Sequence, residues 1–255
     1  MSGVGTPASF LDMRGAVQRT ISALHRRVRP DQPSPMEIFY QDEQRDLERF
    51  MRRAFYMLVY NKVTGDYAEF GCHGARTFTL AARTSNMVAH GAHHWAFDSF
   101  VGLPSSEDPR DQHSGWTAGA MAMSELEFVE RCRSLGIERE AFTTVPGFYA
   151  QTLLAEAPGP RPQRVCFAYI DCDLYTSTIQ ALHFLEDRLC HGAVLALDDY
   201  YCYSETHPSG ERLALIEVFH DHPRWQLLPY RTWGWHGQSF VVEDRDTAPA
   251  VQTVW

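Results

Sequence analysis

Apolar residues recur near the amino terminus at helical spacing. Phe10, Met13, Val17, Ile21, Leu24 and Val28 stand 3, 4, 4, 3 and 4 residues apart, one stripe of a helix with Ser9 as its N-cap. The stretch is locally basic, and a helix docked on the main domain or on a second subunit is preferred to a transit peptide. Pro30, Pro33 and Pro35 break the chain before a second helix from about Ile38 to Val63. From Gly65 onward the period alternates between two and 3.6. Strands are expected at 66–70, 94–97, 141–145, 165–170 and 193–197, with helices over 75–85, 124–135, 175–189 and 211–220. Ser124 and Glu127 form a capping box that opens the helix over 124–135. Residues 99–120 read as a long loop. Two late strands, about 225–229 and 239–243, follow without a crossover helix between them. This alternation predicts a doubly wound, mostly parallel α/β sheet with an antiparallel strand at one edge. It divides the chain into a helical extension, residues 1–64, and a domain over 65–255.

Composition narrows the class. A chain of 255 residues that is 44% hydrophobic can bury a continuous core without disulfides or structural zinc. The net charge of −9 argues against non-specific nucleic-acid binding. No apolar run exceeds the seven residues from Ala54 to Tyr60, too short for a membrane span. None of the six cysteines forms a Cys-x-x-Cys pair, Asn61 and Asn86 lie outside glycosylation sequons, and no secretory signal is evident. A reducing cytoplasm is the expected compartment.

Chemistry is expected at the carboxyl ends of the strands, where ligands of open α/β sheets bind. Acidic residues end strand after strand there: Glu69, Asp98, Asp171 and the Asp198-Asp199 pair. One such residue reads equally well as a helix N-cap. A cluster of them repels itself unless a cation binds. In the first turn Gly71 and Gly74 let the backbone approach a ligand, but the Gly-x-Gly-x-x-Gly dinucleotide fingerprint is absent. Asp98 stands where a carboxylate accepts the two hydroxyls of a ribose, which suits a nucleoside ligand without pyrophosphate. Asp171, Asp198 and Asp199 could supply half the octahedron of Mg²⁺. His90, His93 and His94 have no partners at zinc-site spacing. Trp116, Phe148, Tyr149, Tyr200, Tyr201, Tyr203, Trp233 and Trp235 cluster near loops, which suggests a roomy acceptor cleft. His113 and His207 are secondary candidates for a base.

Several segments together resemble a known family. They are Tyr67-Ala68-Glu69-Phe70-Gly71, Phe97-Asp98-Ser99-Phe100-Val101-Gly102-Leu103-Pro104, Val145-Pro146-Gly147-Phe148, Asp171-Cys172-Asp173-Leu174-Tyr175-Thr176-Ser177-Thr178 and Asp198-Asp199-Tyr200. In that order they resemble the macrocin O-methyltransferases, which use S-adenosylmethionine (SAM) to methylate sugars of antibiotics. The resemblance covers roughly residues 65–243. It implies a class I SAM-methyltransferase fold, Rossmann-like, with SAM and Mg²⁺ bound and the hydroxyl of a small-molecule glycoside as acceptor. It further implies that Glu69, Gly71, His73, Gly74, Asp98, Ser99 and Asp171 face SAM. On the same basis Asp171, Asp198 and Asp199 hold the metal, and Asp173 is the general base. Asp173 also reads as the N-cap of the helix starting near Tyr175. One departure stands out: Ala75-Arg76 occupies the place of two adjacent glycines. A catechol-type methyltransferase and a non-catalytic SAM-binding protein are the alternatives. A homo-oligomer is expected, with residues 1–64 as a lid or an oligomerisation element.

Overall fold

The computed structural model describes residues 32–113, 115–203 and 207–247. The apolar stripe over residues 10–28 lies outside them. Helix α1 (Pro35–Tyr60) starts at a capping box in which Ser34 and Glu37 satisfy each other's backbone N–H, with Pro35 at the first helical position. Its start is three residues earlier than the apolar pattern suggests, because the cap, not the first apolar residue, sets the boundary. Phe50, Met51, Ala54, Phe55 and Leu58 form its buried face.

Strands β1 (Asp66–Phe70), β2 (His94–Asp98), β3 (Phe142–Pro146), β4 (Val165–Ile170), β5 (Leu189–Leu197), β6 (Trp225–Trp233) and β7 (Gly237–Asp244) make one sheet of order β3-β2-β1-β4-β5-β7-β6. The first five are parallel, and β4 is buried at every residue, as a strand covered on both faces must be. The reversed strand is β7, which runs antiparallel to both β5 and β6. It lies second from the edge, with β6 returning outside it. Helices α2 (Arg76–Met87), α3 (Glu125–Ser134), the single turn α4 (Tyr149–Thr152), α5 (Tyr175–Glu186) and α6 (Gly210–Phe219) complete the layers. The Ser124–Glu127 capping box at α3 is formed in both directions.

One core joins these layers. Phe55, Tyr67 and Phe167 meet within about 6 Å of one another, and Phe70 stacks on Phe97 at 4.7 Å. α1 belongs to this core: Phe50 packs on Phe167 and stacks on Trp233 at 4.1 Å. All six cysteines are free thiols, five of them buried. Among the described residues no helix is long and apolar enough to cross a membrane. Strand order reverses between β1 and β4, so a crevice opens beyond their carboxyl ends.

Candidate active site

The turn after β1 is shaped by close backbone approach. Gly71 has φ +90°, and a Cβ there would lie 1.7 Å from the Asp171 carbonyl oxygen, so no other residue fits. Gly71 N–H donates to Phe97 O at 2.9 Å and Asp171 N–H to Phe70 O at 2.8 Å. Asp98 braces the same turn from β2: Oδ2 accepts the Cys72 N–H at 2.7 Å and Oδ1 the Phe100 N–H at 2.6 Å. Each oxygen retains a lone pair for a further donor. Ala75, where the resemblance leads one to expect the first of two glycines, takes the left-handed conformation itself, φ +53°.

A cavity of about 460 Å³ opens at these strand ends. Of the residues predicted to form the site, Gly71, His73, Asp98, Ser99, Asp171 and Asp173 line it. Glu69, Gly74, Asp198 and Asp199 do not. Glu69 is 1% exposed and accepts the Tyr67 hydroxyl, and burial pushes its carboxyl well above the ordinary range against that bond. Phe148 and Tyr149 form part of the wall, and the Tyr149 hydroxyl donates to Phe97 O at 3.1 Å. Trp233, by contrast, is 1% exposed and sits in the core. Trp116 packs at a tilt against His113, ring centres 4.2 Å apart, in a neighbouring recess.

The acidic side of the cavity is crowded. Asp171 carries a pKa well above the usual carboxylate value, first through burial and then through Asp198, Asp199, Asp173 and Glu211. Asp173 is shifted the same way, first by burial and then by the neighbouring Asp199 carboxylate. Asp173 does not cap α5: the N-cap is Leu174, and its side chain makes no cap bond. Instead Asp173 takes φ +61°, a left-handed conformation that Asp tolerates better than most residues.

Asp198 is gripped on one oxygen. Tyr169 donates its hydroxyl to Oδ1, and Trp233 Nε1 donates to the same atom at 3.2 Å. Burial raises the Asp198 pKa, and His236 opposes that rise. His236 Nδ1 lies 2.7 Å from Asp198 O, while Nε2 lies 3.5 Å from Glu43 Oε2 of α1. Among the described residues the set whose donor atoms all fall within 4.8 Å is Asp198, Asp199 and His236. The structure thus brings Asp198 and Asp199 together, and His236 rather than Asp171 completes that set. His90 and His93 bond Val63 O and Thr143 Oγ1, and His94 is buried in the core, where burial lowers its pKa to about 4.

Two further residues matter that the residue pattern does not flag. Glu211, 0% exposed on the first turn of α6, accepts the Asp199 N–H at 2.9 Å and the Cys172 N–H at 3.4 Å. It therefore ties the two acidic turns together. A carboxylate in the first turn of α6 is a faint signal of such a role. His236 gives none beyond its place in the aromatic turn Trp233–Trp235.

The comparisons bear on this geometry directly. A family model, macrocin-O-methyltransferase (TylF), matches residues 11–212. The chain belongs to the macrocin O-methyltransferase family. Every predicted site residue falls within the matched span, whereas Trp233 and His236 lie past its end. The match also begins 56 residues before Tyr67, the start of the segments that carry the resemblance. The chain is similar to a Streptomyces olivaceus protein, the 8-demethyl-8-(2,3-dimethoxy-alpha-L-rhamnosyl)-tetracenomycin-C 4'-O-methyltransferase, with 30% identity over 148 residues. That likeness covers 54% of each, so the chain spans about half the length of the curated relative it matches. Two solved structures share the fold. The O-methyltransferase NovP gives a TM-score of 0.62 at 21% identity over 78% of this chain and 80% of NovP. The calicheamicin methyltransferase CalS11 gives 0.61 at 21% identity over 94% and 98%. The sheet of this family member is accordingly the class I SAM-methyltransferase sheet.

Proposed function

We propose that this macrocin O-methyltransferase family member is a Mg²⁺-dependent enzyme that moves a methyl group from SAM to a sugar hydroxyl of a glycosylated natural product. One observation carries the reading: the Asp98-braced glycine turn and the Asp171–Asp173 turn face each other across a single cavity. The name of the Streptomyces olivaceus relative, which specifies a rhamnosyl group, supports the acceptor class.

The residues fit both groups. Gly71 leaves the space a Cβ would fill, and Asp98 retains a free lone pair on each oxygen for ribose hydroxyls. Asp198 and Asp199 offer hard oxygen donors suited to Mg²⁺ with His236 beside them, Asp171 is the third carboxylate that the family resemblance implies, and repulsion among buried carboxylates is relieved by a cation. When bound, SAM supplies an electrophilic methyl and Mg²⁺ a Lewis acid that lowers the hydroxyl pKa by several units. The chain's own residues do the rest. Asp173 takes the hydroxyl proton, and its raised pKa makes it a stronger base once ionised. Tyr169 and Trp233 hold Asp198 in one orientation. Phe148 and Tyr149 keep water from one wall of the cavity. The segment before α1 serves as a subunit contact in a homo-oligomer, which sedimentation of protein lacking the first 30 residues tests.

The deciding experiment is calorimetric titration with S-adenosylhomocysteine, in Mg²⁺ and then in EDTA. Binding in both, with a Mg²⁺ isotherm that disappears in Asp198→Ala, is the expected result. A panel of glycosides and vicinal diphenols then separates sugar from catechol acceptors. Failure to bind S-adenosylhomocysteine in either condition ends the reading.

A further inference from the structure

The long loop between β2 and α3 is mostly exposed, yet it contains a charged side chain that is 6% exposed, Asp111. This carboxylate serves no helix of its own. Its Oδ1 accepts the Thr176 N–H at 3.0 Å and its Oδ2 the Thr176 hydroxyl at 2.6 Å. Thr176 lies in the first turn of α5, whose N-cap Leu174 makes no side-chain cap bond. Asp111 thus caps α5 from 65 residues away in sequence, at the end where the helix dipole favours an anion. Arg110 reinforces the contact, its guanidinium 3.7 Å from the centre of the Tyr175 ring and 3.7 Å from Glu217 of α6.

The position of this cap matters. Loop residues Leu103, Pro104 and Ser105 line one side of the cavity, and Thr176, Ser177 and Gln180 of α5 line another. Asp111 lies outside that lining, in the adjoining recess, and its bonds to Thr176 tie the loop that supplies one wall to the helix that supplies the other. We infer that Asp111 is a positioning residue: it fixes the loop wall against α5 and so sets the affinity of the cavity for the cofactor. The inference rests on the proposed reading of that cavity as the SAM site.

Two measurements test it together: S-adenosylhomocysteine affinity, and thermolysin cleavage between residues 99 and 123 located by mass spectrometry. Thermolysin cuts before bulky apolar residues such as Leu103 and Met121, so substitution at 111 leaves its sites intact. Asp111→Ala is expected to weaken S-adenosylhomocysteine binding about tenfold, the size of a lost helix cap. It should also admit thermolysin to the loop at least tenfold faster, with protection restored by saturating ligand. Asp111→Asn keeps one acceptor for the Thr176 N–H and should fall within about threefold of the unaltered protein on both measures. It carries the test if the alanine variant does not fold. A folded Asp111→Ala protein with affinity and cleavage both within twofold of the unaltered chain overturns the inference. If the unaltered chain binds no S-adenosylhomocysteine, the cofactor reading of the cavity fails. The cleavage rates then still decide whether Asp111 holds the loop.

Discussion

The two sides of the cavity handle negative charge in opposite ways. On the β1–β2 side, Asp98 has a backbone amide on each oxygen, and the turn it braces is complete as it stands. On the β4–β5 side, Asp171, Asp173, Asp198 and Glu211 face one another, and burial with mutual repulsion lifts all four pKa values. The first side is preorganised by hydrogen bonds from its own chain. The second also draws donors to Asp198 and Glu211, yet its buried carboxylates still repel one another, and protons or a cation relieve that repulsion. Carboxylates at equivalent strand ends of one sheet therefore differ in role according to how many other buried carboxylates the neighbouring turns bring beside them. Each side can be broken separately.

The largest effect is expected on the acidic side. Asp173→Asn preserves size and tolerates the left-handed backbone, φ +61°, so the fold should stand. Removal of the base should lower kcat by roughly 10²–10⁴-fold while S-adenosylhomocysteine affinity stays within about twofold. Near-normal turnover would place the proton acceptor elsewhere. The mirror experiment is Asp98→Ala. It strips the acceptor from the Cys72 and Phe100 amides, at a cost of about 1–3 kcal/mol of stability. Ligand affinity should drop by at least about tenfold, whereas the Mg²⁺ isotherm should not move. If Mg²⁺ binding weakens as much as ligand binding does, the two sides are one coupled unit and the contrast is wrong.

Smaller, but specific to the acidic side, is a pH effect. Asp171, Asp173 and Glu211 have folded pKa values above their ordinary values of 3.8, 3.8 and 4.5. Above those ordinary values the unfolded chain has released protons that the folded chain still holds. Metal-free stability must then fall as pH rises, until the folded groups too have ionised. A bound cation favours the ionised carboxylates and removes that slope. The gain in Tm from Mg²⁺ over EDTA should accordingly be larger near pH 8 than near pH 5.5, by a few degrees for each ~1 kcal/mol. An equal gain at both pH values would mean that Mg²⁺ does not bind at this cluster.

How much of this was legible in the residues follows from range. Alternating periods reveal the sheet and its helices because each element's pattern is local. The acidic strand ends were legible for the same reason, since a strand fixes where its last residue points. What stayed hidden was contributed across long separations. Asp198 is held by Trp233 and faces His236, 35 and 38 residues downstream in an antiparallel hairpin. Asp111 reaches Thr176 across 65 residues. The competing reading of Asp173 as a helix cap fails, because spacing before a helix suggests a cap but cannot say which residue's φ/ψ turns the chain, and here it is Leu174. The reversed strand was foreseen, but its place one in from the edge depends on how the final hairpin docks on β5. Local pattern does not encode that.

The smallest expected effect sharpens the comparison from the complete side. Ala75 sits left-handed at the start of α2 with its methyl buried. Ala75→Gly should relieve about 1–2 kcal/mol of backbone strain. Against that, it loses about 0.8 kcal/mol of methyl burial and up to about 1 kcal/mol through the freer unfolded chain. The terms nearly cancel, so stability should change by less than about 1 kcal/mol, read as a Tm shift of at most a few degrees. Ligand affinity should be unchanged, because the turn's geometry is set by Gly71 and Asp98 and survives in the variant. A tenfold change in S-adenosylhomocysteine affinity would instead show that the strained alanine itself tunes the site, and that this side is not complete as it stands.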